Sequence, residues 1–304
     1  MRDENPFDDL LVLVKGAGDL ATGVAWRLHR CGIPVVMTEL PCPLTVRRSV
    51  AFAQAVYDEE HEVEGITARR ALTADVPEVL DAGEIPVVVD PEAEAIEELA
   101  PSAVVDAVLA KTNTGTTLDS AAFVAALGPG FEAGVDCHVV IETNRGPSLG
   151  RTIWEGAAEA DTGTPGAIWT PPADQESGES GERSPAVEAK ATRVLRAPAA
   201  GSFQALARIG ERVQAGEPYG RVLQPSGEET PLLAPFTGVL RGLIHDSVTL
   251  RPGLKIGDID PRDDPRHAFC ISDKSLAVGG GVVEAFLYWH FGRSDDSVTE
   301  EMGF

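Results

Sequence analysis

An unbroken apolar run ending in a glycine turn fixes how this chain must begin to fold. Leu10-Leu11-Val12-Leu13-Val14 leads straight into Gly16-Ala17-Gly18. A run of that length with no polar interruption suits a strand buried on both faces at the centre of a parallel sheet. Residues 21–30 then carry helical spacing, with Val24, Leu28 and Cys31 on one side. Gly32 supplies the stop, because a residue without Cβ enters the left-handed region cheaply. Val35-Val36-Met37 opens the next strand and Glu39 closes it. Strand, glycine turn, helix and strand within about thirty residues make one βαβ unit.

The alternation continues. Residues 45–57, 76–81 and 92–99 read as helical, residues 86–90 as a strand, and 103–109 as a further apolar run. Strands alternating with helices predict a parallel sheet covered on both faces, a Rossmann-like α/β domain over residues 1–127. Residues 128–169, glycine-rich with one clear strand at 137–142, form a middle segment expected to pack on that domain. Residues 170–188 are Pro, Ser, Gly, Glu and Asp with almost no large apolar side chain, so burial there cannot offset the ordering entropy; this reads as a flexible acidic insertion.

Residues 189–304 contain a repeat. Ala197-Pro198-Ala199-Ala200-Gly201 matches Ala234-Pro235-Phe236-Thr237-Gly238 at an offset of 37, and the same offset pairs Gly216 with Gly253, Gly220 with Gly257 and Val222 with Ile259. Each copy reads as short strands between Gly and Pro turns, too small to bury a face alone. Two interlocked copies predict a small β domain of the biotinyl/lipoyl-like, barrel-sandwich hybrid kind, followed by a C-terminal tail. The hairpin between the copies, Gln224-Pro225-Ser226-Gly227-Glu228-Glu229, has no lysine, so lysine-linked biotin or lipoate is excluded there and a structural or docking role is expected.

Charge narrows the partners. The chain of 304 residues carries 48 Asp+Glu against 25 Lys+Arg, a formal charge of −23. A field of that sign repels nucleic acid and anionic membranes, and neither is expected as a partner. Only five of the bases are lysines; acid-rich, lysine-poor surfaces suit high salt, where self-repulsion is screened, so a halophilic adaptation is expected. No apolar run approaches the ~20 residues that cross a bilayer, and residues 1–10 lack the basic-then-apolar layout of a signal peptide; a cytoplasmic protein is expected. Cys31, Cys42, Cys137 and Cys270 form no ligand or disulfide pattern, and no metal site is expected.

The candidate chemistry sits at the ends of the predicted strands. Gly16-Ala17-Gly18-Asp19-Leu20-Ala21 has the form G-x-G-x-x-A: Gly16 permits the tight turn, Gly18 lets a pyrophosphate approach the backbone, and Ala21 lets the helix pack on the sheet. Glu39, 21 residues beyond Gly18, stands where an acid would accept ribose hydroxyls. Asp19 would repel a pyrophosphate unless it faces away, and could instead hold a cation or hydroxyl. Arg47 and Arg48 are read as a bidentate grip on phosphate or carboxylate, or else as a solvated face paired to nearby acids. Lys111, Asn113 and Gly115 follow an apolar strand and precede an expected helix, which puts Lys111 at the same edge as an anion partner. Arg145 could add a guanidinium to the cleft or pair with Glu142. The six histidines are scattered, and no catalytic residue is named. A glycine turn needed only for packing is the plain alternative.

These residues resemble the YqeB family, accessory proteins of the selenium-dependent molybdenum hydroxylase system. The resemblance rests on residues 14–23 (Val14-Lys15-Gly16-Ala17-Gly18-Asp19-Leu20-Ala21-Thr22-Gly23), on Arg47-Arg48-Ser49-Val50-Ala51-Phe52, and on Ala110-Lys111-Thr112-Asn113-Thr114-Gly115-Thr116. It extends through Leu127-Gly128-Pro129-Gly130-Phe131, residues 140–146, 149–151, 162–166 and 238–242, and residues 255–262. Pro147 stands where the family is expected to carry a histidine. The resemblance implies an accessory role in maturing molybdenum hydroxylases, with such an enzyme as client. The ligand would be nucleotide-bearing, molybdopterin dinucleotide or NAD(P), held by the glycine turn, Glu39, Arg47, Arg48 and Lys111. Two other readings stand beside it: an NAD(P)-dependent oxidoreductase acting on a small acid, and a pure docking adaptor. Whether a reaction is catalysed, and whether the chain forms a homo-oligomer, the sequence leaves open.

Overall fold

The structure, a computed structural model, describes residues 5–160 and 193–292. The expected insertion at 170–188 lies outside the described residues, as does the 162–166 part of the family resemblance. The chain divides into two compact units, the first holding described residues 5–41, 55–160 and 271–292, the second 42–54 and 193–270.

In the first unit the expected strand–turn–helix–strand forms as β1 (Val12–Lys15), α1 (Asp19–Arg30) and β2 (Val35–Glu39). Gly32 ends α1 with φ +78, as its position suggests. The chain continues through α2 (Ala55–Asp58), β3 (Glu60–Val63), β4 (Ile66–Ala71), α3 (Val76–Asp81), β5 (Ile85–Val89), α4 (Ala95–Leu99) and β6 (Ala103–Asp106). It then adds β7 (Phe123–Leu127), β8 (Glu132–Ala133), β9 (Val139–Ile141), β10 (Thr152–Ile153) and β11 (Gly156–Ala157). Nine strands make one mixed sheet in the order β10-β9-β7-β6-β1-β2-β5-β4-β3, and β8 pairs with β11 apart from it. The strands from β9 to β4 are parallel; β10 and β3 close the two edges antiparallel. The middle segment therefore continues the same sheet through β9 and β10. One face buries Leu13, Val36, Val76, Val88, Ala95 and Val104 together. That apolar seam is what the unbroken Val- and Leu-rich strands demand.

The chain's last described helix, α5 (Asp273–Gly292), belongs to this first unit and not to the repeat domain in which the 189–304 boundary placed it. It lies against α1 with no room between the backbones. A Cβ on Gly23 would stand 2.5 Å from the carbonyl oxygen of Ser275, and one on Gly279 would run into the carbonyl oxygen of Gly23. Asp19 meets Ser275 as Gly23 meets Gly279, so the two helices run parallel and begin side by side.

Residues 45–57 do not form one helix. They make 3-10 turns at Arg48–Val50 and Phe52–Gln54 before α2. The reason is local: Leu243 N donates to Val46 O at 2.7 Å and Ser49 Oγ donates to Ala268 O, which ties residues 42–54 into the second unit. Of the apolar run 103–109, the strand takes only Ala103–Asp106, and the Asp106 carboxylate accepts the amide of Val108 at 3.1 Å.

The second unit is built from β12 (Val194–Arg196), β13 (Gly201–Ala205), β14 (Arg212–Val213), β15 (Pro218–Leu223), β16 (Glu229–Leu233), β17 (Gly238–Leu243), β18 (Thr249–Leu250) and β19 (Lys255–Asp260). They form two four-stranded antiparallel sheets, β12-β19-β17-β14 and β16-β15-β13-β18. The offset of 37 carries β13 onto β17, β14 onto β18 and β15 onto β19, and it turns one sheet order into the other. Even single hydrogen bonds repeat: Gly216 N to Ala234 O and Gly253 N to Ala197 O are both 2.8 Å. Each sheet takes strands from both copies, and the shared interior holds Phe203, Tyr219, Val222, Leu232, Leu240, Leu243, Ile256 and Ile259.

Candidate functional site

In the first unit the chain winds outward from β1 through β2 towards β3, then returns to continue from β6 on the other side of β1. The loops leaving the carboxyl ends of β1 and β6 therefore lie side by side, where open parallel sheets take their ligands. The β1 loop is the glycine turn. Gly16 has φ +89, a conformation that favours glycine, and a Cβ there would stand 3.2 Å from the carbonyl oxygen of Ala107 in the β6 loop, a tight approach. Gly18 is the N-cap of α1 and offers no side chain to the first turn. Thr22 N donates to Gly18 O at 2.8 Å, while the amides of Leu20 and Ala21 have no acceptor among the described residues. Unpaired amides at the positive end of a helix dipole favour an anion.

Glu39, at the end of β2, reaches back to this turn. Its carboxylate accepts the amide of Ala17 at 3.0 Å and that of Leu40 at 2.7 Å. Burial pushes its carboxyl above the ordinary carboxylate range, and the two amides pull the other way. Asp19 accepts a hydrogen bond from Ser275 Oγ at 2.9 Å, which directs its carboxylate to the first turn of α5. Arg145, in the loop after β9, makes a two-pronged ion pair with Asp273 at 2.7 and 2.9 Å. Glu142 accepts the amides of Asn144 and Glu159 instead, so the two nearby residues do not pair with each other.

The β6 loop is held by its own polar groups. Asn113 Oδ1 accepts the amides of Gly115 and Thr116 at 2.9 and 2.8 Å, and its Nδ2 donates to Thr116 O and Asp136 Oδ1. Asn113 therefore shapes the loop, and the helix expected after it is a 3-10 turn at Leu118–Ser120. Leu109 and Lys111 take positive φ, +59 and +66, a costly conformation for residues with a Cβ. Lys111 is exposed, and a Cβ on Gly130 would press on its backbone. Beneath this loop lies a buried cluster that sequence reasoning did not single out as a site. Lys15 Nζ donates to Thr116 Oγ1 at 2.7 Å and lies 3.2 Å from Asp106 Oδ2, to which Thr116 Oγ1 donates at 2.5 Å.

No model of a known protein family matches the chain. The Escherichia coli (strain K12) protein described as Uncharacterized protein YqeB is 44% identical over 288 residues, which cover 94% of this chain and 49% of that one. The chain belongs to the YqeB family. It spans about half the length of this relative. A crystal structure of succinylglutamatedesuccinylase/aspartoacylase from Rhodobacter sphaeroides is similar over 24% of this chain and 23% of its own, at 20% identity and a TM-score of 0.22, too little to carry an argument.

Gly16, Gly18, Asp19, Ala21 and Glu39 thus gather at one turn, with Lys111, Asn113 and Gly115 in the neighbouring loop and Arg145 joined to them through α5. Arg47 and Arg48 belong to the second unit. Arg47, buried, donates to the carbonyls of His267 and Cys270 at 3.2 and 3.0 Å, and Arg48 to Leu243 O at 2.8 Å and Gln54 Oε1 at 3.1 Å. Both guanidinia bind backbone carbonyls where the sequence suggested a phosphate grip. Cys137 is buried, its thiol pushed up to about 12 chiefly by desolvation, which leaves it a poor nucleophile. Among the described residues no cluster suited to a metal ion exists, and no helix is long and apolar enough to cross a membrane.

The raised Glu39 carboxyl has a signed consequence. Folding takes up a proton in the window between the ordinary glutamate value and the raised one, so this group's contribution to stability falls as pH rises through that window. Glu39→Gln should flatten that part of the profile. Melting temperatures of both proteins between pH 4 and 7 check it; parallel curves would assign the proton elsewhere.

Proposed function

We propose that the first unit is a Rossmann-like domain binding a nucleotide-bearing ligand in the crevice between the β1 and β6 loops, with molybdopterin dinucleotide and NAD(P) as the candidates. The second unit, read as a barrel-sandwich-like docking module, would engage a molybdenum hydroxylase client, and the chain would serve that enzyme's maturation in the cytoplasm. One observation carries the ligand half: α1 begins at the sheet's winding reversal with no capping side chain and with the Leu20 and Ala21 amides unpaired. A diphosphate supplies the acceptors that this turn lacks. The start of α5 beside that of α1 adds a second helix dipole of the same sign. Glu39 would exchange its amide contacts for ribose hydroxyls. The client half rests on the resemblance to accessory proteins of the hydroxylase system.

Equilibrium dialysis of the purified chain, at low and at molar salt, against NAD, NADP and molybdopterin nucleotides tests the ligand half. At least one should bind, and Gly18→Asp, which sets a carboxylate at the α1 N-cap, should abolish that binding with the circular dichroism unchanged. No binding by any of them at either salt would leave the turn a packing feature and favour the adaptor reading.

A further inference from the structure

β1 and β6 are apolar along their length except at their last residues, Lys15 and Asp106. There Lys15 and Asp106 stand opposite each other in the register of the parallel pair. Lys15 is 8% exposed, Asp106 1% and Thr116 1%. Taking an ion pair out of water costs several kcal/mol per ion, and an apolar pair of similar volume often serves stability as well or better. Stability therefore does not account for this pair, and its position next to Gly16 suggests another use.

The hydrogen-bond inventory shows what is left over. Asp106 is satisfied by the Val108 amide, the Thr116 hydroxyl and the ammonium. Lys15 Nζ has three N–H groups, and among the described residues it meets two acceptors, Thr116 Oγ1 and Asp106 Oδ2. One donor of a cation on β1, adjoining the glycine turn, has no acceptor among the described residues. Of the other cations offered for phosphate, Arg47 and Arg48 hold carbonyls in the second unit and Arg145 is paired with Asp273, while Lys111 stands exposed in the β6 loop; Lys15 is the buried one beside the glycine turn.

We propose that Lys15 is the phosphate-binding cation of the crevice, its remaining N–H directed to an oxygen of the ligand's diphosphate while Asp106 and Thr116 hold the ammonium in place. The proposal rests on the nucleotide reading above and deepens it, because it makes the diphosphate the group recognised by charge. Of the three, Lys15 touches the ligand, and Asp106 and Thr116 are positioning residues.

Calorimetric titration of the full chain with ADP and with adenosine, in parallel, separates contact from structure. The variant is Lys15→Met with Asp106→Asn, which removes both charges while the asparagine oxygen still accepts from Val108. ADP affinity should fall about tenfold to a hundredfold, the range for a hydrogen bond to a charged group, with adenosine affinity within about twofold of wild type. Equal losses for the two probes, or no loss for either, would overturn the role of Lys15 and leave the nucleotide site standing. If the wild-type chain binds neither probe, nor any of the dinucleotides above, both readings fail together.

Discussion

Gly23→Leu should unfold the first unit. The new side chain has no direction in which to yield, because its Cβ would meet the backbone oxygen of Ser275 at 2.5 Å and not the end of a flexible side chain. Overpacking ordinarily costs about 1–3 kcal/mol, and more where the neighbour is main chain; parting α1 from α5 would also uncover the apolar sides of both. A loss of about 4 kcal/mol or more in denaturant unfolding is expected, enough to exhaust much of a typical domain's stability. Gly280 is the internal control. Nothing lies within 4 Å of a Cβ there, so Gly280→Ala should stabilise the helix by up to about 1 kcal/mol. If both variants melt together near wild type, the close packing of α1 on α5 is wrong.

Lys15→Met alone should destabilise the chain by about 3–5 kcal/mol, because it strands the buried carboxylate of Asp106. Adding Asp106→Asn removes the stranded charge and should recover most of that loss. The recovery is the informative part, since two unrelated defects would add where a shared ion pair must not. Chemical denaturation of the two single variants and the double, at one pH and one salt, closes the cycle. Coupling below about 0.5 kcal/mol would show that the pair is solvated.

The glycine turn, the first helix and the flanking strands were legible because their signals are local: an apolar run, a 3.6-residue period and a glycine in register. The repeat was legible for a related reason, since two copies in one register report the same fold twice. The place of α5 was not. Its Val278-Gly279-Gly280-Gly281-Val282 stretch reads as a helix breaker until α1, some 250 residues earlier in the chain, supplies the wall against which Gly279 packs. Arg47 and Arg48 admit more than one reading because a guanidinium that binds phosphate and one that binds carbonyl oxygens have the same sequence. Lys15 carries no signal of its own in the sequence, because its partners Asp106 and Thr116 become neighbours only once β1 and β6 pair.

The way the two halves of the second unit trade strands bears on how such an architecture is reached. A polypeptide of half the length could not shield its greasy side until it met a sibling, and its folding would slow on dilution. Tandem linkage supplies the sibling at a fixed local concentration, so assembly becomes first-order and each half is free to diverge. Severing the Gln224–Glu228 hairpin should return the halves to that two-body condition, with refolding rates that depend on how much protein is in the tube.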